Sequence, residues 1–355
     1  MTINLDNYGL TPNFKQAATA NQGQLARVTA QHRNLYQIMT ETGERSATVS
    51  GKFAYEKADV TDFPTVGDWV MVDLTTTSAV IQQVLPRQSI LAREGVGNRS
   101  DGQLIAANID TIFICMSLNA DFNVRRIERY LTMAWDSQAT PVIVLTKADL
   151  CADLPEKLAS LADVSLGVDV VTCSAKTGVG YDEIADYVTT GKTVAFIGSS
   201  GVGKSTLINC LIGTDVLATK TIRADDDKGR HATTARQLLL LPQGGIVIDT
   251  PGMRELQLYT GDLDRTFADI AALATECKFR NCTHTTEPGC AVQAALQTGQ
   301  LTADRLASYQ KLQRELTYDG LNSREREQEK VNRLFGSKNA MKHVVRQAKA
   351  KNRRR

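Results

Sequence analysis

The chain has 355 residues, enough for two or three domains with a core each. A hydrophobic share of 42% marks it as globular, and a basic excess of only 41 − 39 = 2 excludes a global charge argument for nucleic acid. No apolar run approaches the ~18 residues that span a membrane, and the N-terminus lacks the basic-then-apolar pattern of a signal peptide, so a cytoplasmic protein with no membrane partner is expected.

Residues 1–23 are polar, with few bulky apolar side chains, and read as a flexible lead-in. Alternating segments follow at Leu25–Thr29, Leu35–Met39, Ala47–Ser50, Trp69–Val72 and Ala79–Val84, separated by turns. Five short strands within residues 24–95 predict an N-terminal β-barrel of the oligonucleotide-binding (OB-fold) kind. Such barrels often bind RNA, and a merely structural barrel fits the same pattern.

From residue 100 strands alternate with helices. Thr111–Ser117 and Pro141–Leu145 are near-continuous apolar runs, and Val124–Asp136 is an amphipathic helix, as in a parallel sheet covered on both faces. At the carboxyl end of the second run stand Thr146, Lys147, Ala148 and Asp149; after a further strand from Val168 come Ser174, Ala175 and Lys176. A carboxylate at Asp149 can accept two hydrogen bonds from the guanine ring N–H and amine, with the Lys147 stem over the base and the Ala175 N–H toward the guanine oxygen. Adenine lacks that donor pair. Alone, such a segment is more often a solvated loop.

The decisive company is the phosphate loop that follows the strand Val194–Ile197: Gly198, Ser199, Ser200, Gly201, Val202, Gly203, Lys204, Ser205 and Thr206. Its glycines let backbone N–H groups point inward, Lys204 reaches the outer phosphates, and the Ser205 hydroxyl suits a phosphate-bound Mg2+. Residues 223–234 are polar and predict a mobile loop. A hairpin then delivers Asp249, suited to a magnesium-bound water, and Gly252, whose N–H can meet the terminal phosphate. The guanine motif precedes the phosphate loop, the reverse of an ordinary small GTPase, so residues 100–262 read as a circularly permuted α/β P-loop GTPase domain.

Residues 263–330 carry Cys277, Cys282, His284 and Cys290, a closed donor set for one structural zinc between helices at Leu263–Glu276 and Leu301–Thr317. A mostly α, zinc-binding C-terminal domain is expected. Cys115, Cys151, Cys173 and Cys210 read as reduced thiols, most of them buried. The tail 331–355 is basic, with eight Lys or Arg and no acid from Lys338 to Arg355, which suits RNA phosphates.

Motif order, upstream barrel and Cys-His cluster together resemble the RsgA (YjeQ) family of small-ribosomal-subunit GTPases over residues 24–330, with Gly198–Thr206, Gly229–His231, Asp249–Gly252 and Cys277–Cys290 carrying the match. The resemblance implies a factor that binds the nearly finished small subunit and its rRNA late in maturation and leaves after hydrolysing GTP to GDP. Met253 stands where ordinary GTPases have glutamine, and an apolar residue cannot polarise water, so the resemblance makes His231 a candidate to orient the attacking water, a solvated loop histidine being the other reading. Ala232 replaces the first of three threonines, leaving Thr233 or Thr234 as the magnesium-binding one, with Thr234 preferred. The chain is expected to act as a monomer. Two rivals stay open: a nucleotide-gated RNA-binding scaffold with incidental hydrolysis, and a metal-delivery GTPase, which would need readily exchangeable zinc.

Overall fold

The computed structural model describes residues 2–32, 35–56, 60–75, 78–94, 102–213, 236–250, 258 and 260–319. Strands β1 (Gln24–His32), β2 (Leu35–Thr40), β3 (Gly43–Val49), β4 (Trp69–Leu74) and β5 (Ala79–Val84) pair in the order β1-β2-β3-β5-β4, and β4 returns to β1 to close a barrel. The β3–β5 pair is parallel and the others antiparallel, the Greek-key pattern of an oligonucleotide-binding barrel. Alternation sends Val28, Tyr36, Ile38, Val70, Val72 and Ile81 into one interior.

The same alternation puts Trp69 and Met71 on the outside of the barrel, and this overturns the expected flexible lead-in. A 3₁₀ turn (Leu5–Tyr8) and helix α1 (Pro12–Thr19) press Leu5 and Phe14 onto Trp69, Met71 and Leu85, and all five side chains are buried. Two bulky residues suffice there, because the barrel would otherwise leave an indole ring in water.

Helix α2 (Gly51–Glu56) follows β3, and β6 (Ile90–Glu94) pairs with β7 (Gly102–Ala107) in a separate ribbon. The nucleotide domain then runs β8 (Thr111–Ser117), α3 (Val124–Asp136), β9 (Thr140–Thr146), α4 (Leu154–Leu161), β10 (Asp169–Thr172), α5 (Tyr181–Ala185), β11 (Thr193–Ile197), α6 (Lys204–Ile212), β12 (Arg236–Leu240) and β13 (Ile246–Asp249). Its sheet has the order β10-β9-β8-β11-β13-β12, parallel except for β12. Alternate residues serve the two faces: Phe113, Cys115 and Phe196 meet α5 and α6, while Ile112, Ile114 and Ile197 meet α3. The strand bearing the phosphate loop thus lies between an earlier strand, β8, and a later one, β13.

Sequence periodicity gave no sign of how the barrel joins this sheet. Strand β12 pairs with β13 on one side and with β1 on the other, Ala30 opposite Gln237 and Gln31 opposite Arg236, so the two domains share one eleven-stranded sheet. Arg27 on β1 pins the seam. Its buried guanidinium donates to the carbonyls of Tyr8, Gly67 (3.2 Å) and Asn108 (3.3 Å) and to Thr193 Oγ1 (3.0 Å), joining lead-in, barrel and the first residue of β11.

The C-terminal part contains α7 (Leu263–Thr266), α8 (Ala268–Thr275), α9 (Ala291–Thr298) and α10 (Ala303–Asp319). The single helix expected over Leu263–Glu276 is broken at Phe267, whose φ of −118° and ψ of 49° leave the helical region and let its ring enter the core. These helices share the apolar cluster of α3 and have no separate core, as expected of so small a unit. Across that contact Arg305 Nη1 donates to Glu128 on α3 at 2.7 Å and Arg129 Nη2 donates to Glu315 at 2.6 Å; within the C-terminal helices Arg305 Nη2 donates to Asp269 at 2.9 Å.

Candidate functional site

The parallel strands deliver their carboxyl ends to one edge of the sheet, where open α/β folds bind ligands. Gly198 leaves β11 at φ +145°, and a Cβ there would lie 2.4 Å from the Cys115 carbonyl oxygen, so only glycine lets the loop pass β8 this closely. Gly201 and Gly203 also take positive φ, and Gly203 caps α6. Lys204 Nζ donates to the carbonyls of Gly198 (2.6 Å) and Ser199 (2.8 Å), which fixes its ammonium over the loop. Burial lowers the Lys204 pKa, opposed by Cys115 and Asp249. Ser200 is exposed; Ser205 and Thr206, in the first turn of α6, are half-buried.

The segment Thr146–Asp149 closes on that loop. Thr146 Oγ1 donates to the Val202 carbonyl, and Lys147, turned at φ +59°, donates from Nζ to the Gly201 carbonyl at 2.8 Å. A non-glycine residue in this left-handed region costs about 1 kcal/mol or more, and here it aims the lysine at the phosphate loop. Asp149 is exposed, and its Oδ1 accepts from the buried Ser174 Oγ at 2.7 Å, while Ala148 N donates to the Cys173 carbonyl at 3.1 Å. Ala175 and Lys176 are exposed beside it. The segments 146–149 and 174–176 and the phosphate loop, distant in sequence, are therefore brought together at one edge of the sheet. Asp249 ends β13 and is buried; burial raises its carboxyl to about 6, with Lys204 pulling it back. His231, Thr233, Thr234, Gly252 and Met253 lie outside the described residues, as does the basic tail.

A second cluster brings Cys277, Cys282, His284 and Cys290 together, with donor atoms within 4.8 Å of one another. Tetrahedral zinc with bonds of about 2.3 Å to sulfur and about 2.0 Å to nitrogen needs edges of about 3.8 Å and about 3.5 Å. Cys277 Sγ and Cys290 Sγ stand 3.8 Å apart, and His284 Nδ1 lies 3.7 and 3.5 Å from them, so the donor set fits. His284 takes φ +57°, and its carbonyl accepts from Gln293 (2.6 Å) and Gln310 (3.3 Å). Glu287, which no motif marks in the sequence, holds the loop: its carboxylate accepts from the backbone N–H of Thr283 (2.9 Å), Thr285 (2.9 Å) and Thr286 (3.1 Å) and from the Thr283 hydroxyl, which keeps it well below the usual carboxylate range. The Thr283-His-Thr-Thr-Glu287 run was the available signal. Of the four other cysteines Cys115 and Cys173 are buried, Cys151 half-buried and Cys210 exposed.

A family model described as RsgA GTPase matches residues 84–259. The chain is 64% identical over 346 residues to the small ribosomal subunit biogenesis GTPase RsgA 2 of Lactiplantibacillus plantarum, covering 97% of this chain and 98% of that one. The chain belongs to the RsgA GTPase family. RsgA 1 of Oceanobacillus iheyensis is 45% identical over 83% of this chain and 85% of its own. Among solved structures, the crystal structure of YjeQ from Thermotoga maritima aligns with TM-score 0.59 at 28% identity, covering 83% of this chain and 98% of that one. YloQ, a circularly permuted GTPase, aligns with the same TM-score at 24% identity over 84% and 96%, which shows the fold. An ABC transporter model also matches residues 181–349. That span contains the phosphate loop, common to many nucleotide hydrolases, and not the RsgA guanine motif at 146–149. Among the described residues no helix is long and apolar enough to cross a membrane.

Proposed function

We propose that this chain hydrolyses GTP to GDP and phosphate on the small ribosomal subunit late in its maturation, stimulated by that subunit and released by the reaction. The observation that carries the reading is the Lys147–Gly201 contact at 2.8 Å beside the Ser174–Asp149 hydrogen bond at 2.7 Å, which makes base-reading and phosphate-holding segments walls of one site. Asp149 accepts from the guanine N–H and amine, and Lys147 covers the base. Residues Gly198–Thr206 and Ala175 give backbone N–H groups to phosphate and base, and Lys204 neutralises charge that grows in the transition state. Ser205, Asp249 and a threonine at 233 or 234 serve Mg2+, which when bound supplies charge neutralisation to the outer phosphates. His231 orients the attacking water and Gly252 meets the terminal phosphate. One structural zinc held by Cys277, Cys282, His284 and Cys290 fixes the C-terminal unit.

The division of labour follows the chain: barrel 24–95 and tail 331–355 for rRNA, 100–262 for nucleotide, 263–330 for the zinc unit. The protein acts as a cytoplasmic monomer. Steady-state hydrolysis with and without purified small subunits tests the reading. The subunit should raise the GTP turnover rate at least tenfold, and His231→Ala should lose that stimulation; equal rates with and without subunits would contradict it.

A further inference from the structure

The loop between Cys277 and Cys282 holds an exposed aromatic ring that the nucleotide site does not use. Phe279 is 41% exposed, outside the apolar cores, and its neighbours Lys278 and Arg280 are exposed cations with no ion pair among the described residues. Lys278 Nζ stands 5.6 Å from the Phe279 ring centroid. The loop is held at both ends. Cys282 N donates to the Phe279 carbonyl at 3.2 Å, Lys278 N donates to the Gly289 carbonyl at 3.0 Å, and a Cβ at Gly289 would lie 3.1 Å from Lys278 Cβ, so the lysine stem rests on glycine backbone. An apolar ring left in water on a braced loop, with a cation on either side, matches an unpaired nucleotide: the base stacks on the ring and the flanking phosphates meet the cations.

We propose that Phe279, with Lys278 and Arg280, is a stacking platform for one unpaired nucleotide of small-subunit rRNA. The proposal rests on the reading that this protein binds the small subunit, and adds where one base is held. Stacking is tolerant of sequence, so the platform senses that a nucleotide is unpaired and accessible rather than which base it is.

The test is equilibrium binding of the full zinc-loaded chain to small subunits and to protein-free small-subunit rRNA. F279A should weaken both about tenfold, F279Y should stay within about twofold of wild type, and zinc content and basal GTP hydrolysis should not change. K278Q/R280Q should lower the slope of log affinity against log salt by about 1.4, about 0.7 for each phosphate that is no longer neutralised. Wild-type binding that F279A leaves unchanged would overturn the platform and spare the function. Loss on subunits with none on protein-free rRNA would assign the ring to a ribosomal protein and overturn it too. Equal losses in F279Y and F279A would make the ring a packing element. A wild-type chain that binds neither would remove the functional reading beneath the proposal.

Discussion

Asp149 and Asp249 show how one residue type meets two different settings. Asp149 is exposed and held by Ser174, which suits the base-reading role proposed for its carboxylate. Asp149→Asn puts an amide donor against the guanine N–H pair: GTP affinity should fall about 10²-fold or more, with xanthine nucleotides, which carry an oxygen in place of the amine, bound better than by wild type in a titration. Asp249 is buried and lifted from 3.8 to about 6. Because the folded pKa is the higher one, the folded chain holds a proton between about pH 4 and 6 that the unfolded chain has released. Its contribution to stability is therefore full below about pH 4 and lost as pH rises through 6. Denaturant melts should show wild type losing about 2–3 kcal/mol relative to Asp249→Asn over that window. Arg27 was invisible in sequence, one cation among 41 basic residues on an alternating strand. Burial lowers it to about 10, still charged at neutral pH, and Arg27→Met should cost about 3–5 kcal/mol because four acceptors on four segments lose their donor.

Among the elements, legibility followed how much of the information was local. Strand Thr111–Ser117 and helix Val124–Asp136 coincide with the expected runs, since a buried parallel strand is apolar throughout and the helix presents one apolar stripe. The phosphate loop was legible for the same reason: residue types and spacing are the chemistry. Helix α1 was not, because its value lies in Trp69 and Met71, over fifty residues away. Nor was the break at Phe267, which gives up helical backbone so that its ring can reach the shared core. The Cys-His cluster was legible as a group of donors that could hold a metal, whereas Glu287 needed the fold to reveal it as the clamp of their loop. Helices α8 and α9 meet around that cluster, so chelation should release one zinc per chain and expose the amides of 268–298 to hydrogen exchange, with the barrel amides unchanged. Retained protection without metal would contradict the structural role.

At the scale of the molecule, the shuffled order of motifs changes what each end of the nucleotide domain is attached to. Strand β12 leads the sheet into the barrel, and α3 carries Glu128 and Arg129 to the C-terminal helices. Domain order was readable from strand pattern and motifs; these two joints were not, since β12 and β1 lie about two hundred residues apart and meet through backbone pairing that no residue type marks. On the proposed reading one nucleotide sits between two candidate RNA-facing parts, and segments 146–150, 174–178 and 198–206 have to enclose a single GDP or GTP. Hydrogen exchange during a GDP titration tests that enclosure directly. Protection of 146–150, 174–178 and 198–206 should rise together with one dissociation constant and be lost together in Lys204→Ala. Protection confined to the phosphate loop, or two distinct constants, would contradict it.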